Sequence, residues 1–272
     1  MSNINRLNDV VEYIERNLTQ KIDYTELARI ALVDQFSLGK IFCFMSGISI
    51  GEYIRKRRLS QAAAALQAGT ARIIDIAGLY GYDSPEAFTR AFKKMYGVNP
   101  SKIKPSTFLK TFGAIKFDNS FSTNELNMRI DLKPSLTLYG KYITIPIGEI
   151  SKKAPEFWEN FKKTSTFEKM KDKQLYGVIQ FDSAFPISIT ANYYIASALN
   201  IKGLDKIEIP NNKYAIFKID SKDGAKINTY VQRVYSTYIP YSGYNIQNSP
   251  ELEVYNQEGI EWWLPIISKT NT

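Results

Sequence analysis

Apolar residues recur at helical spacing from the start of the chain. Ile4, Leu7, Val11, Ile14 and Leu18 share one face and predict an opening amphipathic helix. After a polar break at 21–24, Thr25 and Glu26 lead into a second helix over about 26–32. Asp34 predicts an N-cap for a third helix over 35–45, because its carboxylate can accept from the free N–H groups of the first turn, and Gly47 ends that helix. Residues 51–67 read as a longer, alanine-rich helix with Ile54, Leu59, Ala63 and Leu66 as a buried seam, closed by Gly69. A short helix over 73–80 follows, then a turn at Gly81, a cap at Ser84 and a helix opened by Pro85, where the missing N–H is harmless. It runs to about residue 96 and stops at Gly97, and Pro100 and Pro105 close the region.

The pattern says nearly the same thing twice. Leu38, Lys40, Phe42, Met45 and Gly47 lie 50 residues before Phe88, Arg90, Phe92, Met95 and Gly97. Two copies of a short helix–turn–helix on one chain predict two DNA-reading helices without a dimer, so a monomer suffices.

Helical periodicity fades over 107–127, which reads as a linker with some local order. Beyond it, strand character is strong at 136–146, 175–182, 191–199, 213–220, 251–255 and 260–267, with helices around 154–163 and 225–238. That is strand–helix–strand–strand, twice, and predicts an α+β sheet backed by two helices. The fold class expected is therefore multidomain: an all-α tandem helix-turn-helix domain over 1–107, a linker over 108–127, and a pseudo-twofold α+β domain over 128–272.

Charge and composition refine this picture. The net charge is +8, and residues 1–112 hold 16 Lys+Arg against 10 Asp+Glu, so the helical half carries +6 of it. Such an excess suits a polyanionic partner. No apolar run approaches a membrane span and no signal-peptide core is present, so a soluble cytoplasmic protein with no membrane partner is expected. The chain has no histidine, which removes the commonest metal ligand and acid–base catalyst. No cofactor, metal or enzymatic activity is expected. Cys43 is the one cysteine; it excludes an internal disulfide and reads as a buried small hydrophobe. Arg55, Lys56, Arg57 and Arg58 are consecutive, so they point around their helix, some to acidic groups or phosphate and some to water.

The set Ile76, Ala77, Gly81, Tyr82, Ser84, Phe88, Arg90, Phe92, Gly97 and Pro100 resembles the signature of the AraC/XylS family of transcription regulators over about residues 5–106. The resemblance implies that the second helix of each unit enters the major groove of promoter DNA, with RNA polymerase as a further partner. By that carry-over the first reading helix offers Gln35, Phe36, Ser37, Gly39 and Lys40, and the second Pro85, Glu86, Thr89 and Arg90. Arg90 can fork onto guanine, Glu86 can accept from cytosine and Phe36 can touch a thymine methyl; Phe36 could equally pack inside, and Arg90 could hold a phosphate instead. Leu32 stands where the family has a turn glycine, and Gly39 removes one base contact from the first unit.

Pro240, Ser242, Gly243, Tyr244, Pro250, Glu253, Tyr255, Pro265 and Ile266 resemble the GyrI-like effector-binding domain over about residues 128–268. The resemblance implies an aromatic groove for a small hydrophobic or cationic ligand, with Glu253 as its acidic residue. A carboxylate in an apolar pocket is costly unless paired, which favours a cation. Aromatic candidates for the groove are Tyr139, Trp158, Tyr176, Phe181, Tyr193, Tyr230, Tyr255 and Trp262; strand alternation lets only some of them face it, and of the adjacent Trp262 and Trp263 one faces in and one out. Two other readings stand beside this one: a protein-interaction module with a filled groove, and a GyrI-like hydrolase.

Overall fold

The computed structural model describes residues 3–69, 71–117, 126–184, 188–257 and 259–269. Six helices come first: α1 (Asn3–Arg16), α2 (Tyr24–Ala31), α3 (Gln35–Ser46), α4 (Ile50–Ala68), α5 (Ile73–Leu79) and α6 (Pro85–Tyr96). The caps follow the sequence. Asp34 accepts from Ser37 N–H, Ser49 from Glu52 N–H and Ser84 from Ala87 N–H, while Gly47, Gly69 and Gly97 close α3, α4 and α6 in the left-handed conformation. Leu32, where the family has glycine, takes the same strained conformation at φ 59°.

The rest is a sheet with helices on one face: β1 (Met128–Lys133), β2 (Leu136–Pro146), α7 (Ile150–Phe161), α8 (Ser165–Met170), β3 (Tyr176–Ala184), β4 (Ser188–Ser197), β5 (Asp205–Ile209), β6 (Asn212–Ile219), α9 (Gly224–Arg233), β7 (Tyr244–Ile246), β8 (Glu251–Tyr255) and β9 (Ile260–Ser268). The main sheet is antiparallel in the order β1-β6-β9-β8-β3-β4-β2-β5, with β7 pairing the end of β9. Matching β1, β2, β3 and β4 to β5, β6, β8 and β9 makes this order read the same from both ends. The fold is thus an all-α tandem helix-turn-helix region followed by a pseudo-twofold α+β sheet.

The expected repeat lacked one strand in each half. Those strands, β1 (MRIDLK) and β5 (DKIEI), are sheet edges studded with charge, which hides their alternation. The second expected helix also ends early: α9 stops at Arg233 and the chain continues through one wide π turn, Val234–Tyr238. Residues 106–117 form no helix or strand, yet Phe117 is buried and exchanges backbone hydrogen bonds with the Asn8 amide at 2.8 and 2.9 Å. Part of the expected linker, 118–125, lies outside the described residues.

The cores reveal an asymmetry between the two helical units. The second unit packs on itself: Phe88 and Phe92 of α6 and Ile76 and Ala77 of α5 meet Leu59, Ala62 and Ala63 of α4. The first unit shares its core with the sheet. Leu7, Ile14, Leu38 and Phe42 join Phe217, Val231, Tyr235 and Trp262 in one apolar cluster.

Candidate functional site

A cavity of about 370 Å³ lies between the sheet and helices α7 and α9. The two helices approach closely at its rim because Gly224 has no side chain; a Cβ there would come within 2.8 Å of Pro155. The floor is the centre of the pseudo-twofold sheet, where β3 and β8 pair.

Glu253 sits on that floor and is buried. Its Oε2 accepts from Tyr193 Oη at 2.5 Å and Tyr255 Oη at 2.8 Å, and Trp158 Nε1 donates to Tyr193 Oη at 2.9 Å. Cross-strand Gly177 leaves room for this group: a Cβ there would fall 2.5 Å from Glu253 Oε2 and 2.6 Å from Tyr193 Oη. Burial raises the Glu253 carboxyl above its ordinary range, against the lowering effect of the two tyrosine hydrogen bonds. Burial and the neighbouring carboxylate also raise both tyrosine hydroxyls well above their usual value. No cation pairs with Glu253 among the described residues.

A second buried carboxylate, Glu251, lines the same cavity from two residues earlier on β8. Tyr235, in the π turn, donates to its Oε1 at 3.0 Å, and Trp262 Nε1 donates to its Oε2 at 3.0 Å. Its charge is met by Lys40 of α3, which forms an ion pair with Oε1 at 2% side-chain exposure for both partners. The Lys40 ammonium also lies 3.7 Å from the Phe181 ring centre and 5.7 Å from that of Phe36. Burial lowers the Lys40 pKa, with Glu251 opposing.

Of the nine ligand candidates, Glu253, Trp158, Phe181, Tyr193, Tyr255 and Trp262 line the cavity. Tyr139, Tyr176 and Tyr230 do not. Tyr176 packs on the opposite face of the sheet with Val178's cluster, as strand alternation requires. Tyr139 lies towards the β5 edge, paired with Ser197 and Lys206, and Tyr230 packs against Phe217. Trp262 is buried under the cavity while Trp263 faces away beneath Lys133. The sequence reading missed Glu251 and Phe44, which both line the cavity. Glu251 shared the face of Glu253 at strand spacing and was legible; Phe44 belongs to the helical half and was not.

The residues expected to read DNA separate sharply. On α6, Glu86 and Arg90 are exposed and Pro85 and Thr89 half-buried, and the helix packs against α4 and α5. On α3, Ser37, Gly39 and Lys40 are buried, Phe36 is half-buried and only Gln35 is exposed. What buries α3 is the sheet domain. Ile246 N–H donates to Ser37 Oγ at 2.9 Å, Asp34 N–H to Asn245 Oδ1 at 3.3 Å, and Lys269 Nζ to the Leu32 carbonyl at 2.9 Å. Gly148 rests on Gly47 so closely that a Cβ would meet its carbonyl at 2.6 Å. Cys43 joins the core of the sheet domain with Ile145 and Ile147, and burial pushes its thiol up to about 11.

The four consecutive cations of α4 split similarly. Arg57 is buried in an ion pair with Glu15 at 2.7 Å, Arg58 donates to the carbonyls of Leu18 and Gln20, Lys56 pairs with Glu52, and Arg55 is exposed. Arg57 and Arg58 therefore hold the fold together rather than reaching outwards.

Two family models match the chain: a helix-turn-helix domain over residues 27–105 and the integron-associated effector binding protein over residues 129–266. The chain belongs to the AraC/XylS family of transcription regulators, with a GyrI-like effector-binding domain as its second half. The transcriptional activator AarP of Providencia stuartii is 35% identical over 100 residues, 37% of this chain and 74% of its own. The transcriptional regulator YbfP of Bacillus subtilis is 42% identical over 106 residues, 39% of this chain but 35% of YbfP. Among solved structures, the integron cassette protein VCH_CASS2 of Vibrio cholerae aligns with 52% of this chain and 96% of its own at 13% identity and TM-score 0.45. No described helix is long and apolar enough to cross a membrane.

Proposed function

We propose that this chain binds promoter DNA in the cytoplasm and that an amphipathic cation in the sheet domain modulates that binding. In this reading residues 1–107 bind DNA, 108–127 link, and 128–272 hold the ligand. Arg90 and Glu86 on α6 are the base-reading side chains, and α3 supplies the second reading surface when it is free. The DNA-bound protein meets RNA polymerase at the promoter.

The observation that carries the ligand class is Glu253: a buried carboxylate with no cationic partner among the described residues, walled by Trp158, Tyr193 and Tyr255. Burying an unpaired charge is costly, and a hydrophobic cation relieves that cost while its apolar body covers the rings. The open volume favours a ligand over a protein-interaction module with a filled groove. Tyr193 and Tyr255 donate to Glu253 and hold their protons tightly, so neither is primed as a nucleophile, which supports binding without turnover.

Benzyltrimethylammonium and its neutral carbon analogue neopentylbenzene separate charge from shape. Calorimetric titration is expected to give tighter binding of the cation to wild type, a loss of about tenfold or more in Glu253→Gln, and little change for the neutral compound, a tenfold loss being 1.4 kcal/mol. Equal affinities for both compounds in both proteins would remove Glu253 from the ligand site.

A further inference from the structure

Glu251 and Glu253 are two neighbouring carboxylates on one floor, treated differently. Glu253 has tyrosine hydroxyls; Glu251 has an ammonium delivered by the helix-turn-helix half of the chain. The helix that delivers it is α3, the unit's DNA-reading helix by its equivalence to α6. Along α3, Phe36, Lys40 and Phe44 follow one another a turn apart and so share a face. Lys40 meets Glu251 and Phe181, Phe44 lines the cavity and packs edge-on against Tyr235 at 5.1 Å, and Phe36 flanks the ammonium. This face is a cation between two aromatic rings. It has the chemistry expected of the ligand.

We propose that Glu251 is a second cation subsite of the effector cavity, that Lys40 is its resident intramolecular occupant, and that a ligand placing a cation there displaces α3 from the sheet domain and frees it for DNA. The proposal rests on the reading of the cavity as a cation site and of α3 as a DNA-reading helix.

Three features suit a displaceable occupant rather than a permanent strut. No hydroxyl or carbonyl among the described residues accepts a hydrogen bond from Lys40 Nζ, so one carboxylate and the rings are its whole support. Glu251 does not depend on Lys40 to keep its hydrogen bonds, since Tyr235 and Trp262 donate to it independently. The other polar latches between the first helix-turn-helix unit and the sheet domain are single hydrogen bonds, from Ile246 to Ser37, from Asp34 to Asn245 and from Lys269 to the Leu32 carbonyl, and the rest of the contact is apolar packing of Leu38, Phe42 and Cys43. A ligand shifts such an equilibrium by its difference in affinity for the two states, and competition for one carboxylate supplies that difference.

The subsite also specifies the ligand. Two residues along a strand separate the roots of Glu251 and Glu253 by about 6.6 Å. A compound with two cations across one aromatic ring matches both carboxylates, whereas a monocation satisfies Glu253 and leaves Lys40 in place. The releasing effector is therefore an aromatic dication.

Cys43 provides the reporter, as the chain's one cysteine, buried between α3 and the sheet domain. The probes are p-xylylenebis(trimethylammonium) and benzyltrimethylammonium, and the readout is the rate at which full-length protein reacts with Ellman's reagent. Saturating dication is expected to raise the Cys43 rate by about 5- to 150-fold, the usual range of coupling between two sites. The monocation should leave the rate near its ligand-free value. Lys40→Met should react fast without ligand, gain little from the dication and bind it more tightly, because no resident ammonium has to leave. Where Lys40→Met does not fold, Glu251→Gln removes the charge, keeps an oxygen to accept from Trp262 and lets the Tyr235 hydroxyl accept from the new amide N–H, and should likewise react fast without ligand. A dication that binds wild type in calorimetry while Cys43 stays protected overturns the displacement and leaves the cavity reading intact. Failure of both cations to bind wild type overturns the cavity reading and this proposal with it.

Discussion

Helices α3 and α6 are copies of one element with opposite fates. They match in cap, length and closing glycine, and Lys40 and Arg90 occupy the same place in each. Arg90 faces solvent; Lys40 is sealed against Glu251. The difference follows from what surrounds the cation. On α6 the charged and polar residues Glu86, Thr89, Arg90, Lys93 and Lys94 leave Phe88 and Phe92 to face inwards beside Ala91, Met95 and Tyr96, which is the stripe of a helix with one wet side. On α3 the sequence QFSLGKIFCFMS carries one charge, Lys40, and every residue from Ser37 to Cys43 is buried. A duplicated motif thus keeps its backbone while the face that is exposed on α6 is covered by the sheet domain on α3.

The largest test of this contrast is stability. Lys40→Ala strands Glu251 in the interior and should cost about 3 kcal/mol, the lower end of the range for breaking a buried ion pair. Arg90→Ala at the equivalent position should stay within about 0.5 kcal/mol of wild type, as exposed substitutions do. Denaturant unfolding of both variants decides it; equal losses would mean that the two helices are not differently engaged.

DNA binding sharpens the contrast from the other side. Arg90→Ala should relax preference at one base pair at a cost of about 1–3 kcal/mol if the guanidinium forks onto guanine. Arg55→Ala should weaken all sequences alike and reduce the salt slope by about 1, as a lost phosphate contact does. Titration of a binding-site library at two salt concentrations reads both effects. Uniform weakening by Arg90→Ala would make it a phosphate contact. Arg57 is unsuited to this comparison, because removing it leaves the half-buried Glu15 without its cation, with the Tyr53 hydroxyl still donating to it.

The smallest expected effect is in pH. Burial raises the folded Glu253 pKa above 4.5, so the folded protein holds this proton more tightly than the unfolded chain. The site's contribution to ligand-free stability is then fully present below the unfolded pKa and is lost as pH rises through the folded value. Binding of a monocation runs the other way, weakening as pH falls through that folded pKa and the carboxylate is neutralised. Calorimetry of benzyltrimethylammonium from neutral pH downwards should show this decline in wild type and not in Glu253→Gln.

The caps, closing glycines and strand alternation carried most of the fold. Asp34, Ser84, Gly47 and Gly97 mark their helices unaided, because capping is a local hydrogen-bonding problem. Edge strands β1 and β5 escaped because alternating charge masks their period, and the π turn after α9 has no pattern of its own. Six of the nine ligand candidates line the cavity because residue type and strand parity suffice to choose them. Tyr176 has the opposite parity to Phe181 on the same strand and so faces away, while Tyr139 is too far along its strand, which depends on register rather than composition. The covering of α3 is a long-range fact. Its apolar composition and Gly39 were visible, but a covered face carries no label saying whether base pairs or protein will cover it.

Gly177 and Glu253 face each other across β3 and β8, one offering an acid and the other the space that the acid fills. A methyl at 177 would press on the Glu253 carboxylate and the Tyr193 hydroxyl, and a short neutral residue at 253 would leave that space unfilled. Descendants of this protein should therefore travel between two states by paired substitutions. A glycine at this place on the third strand is then expected to accompany an acid in the cavity, which the sequences of relatives would test.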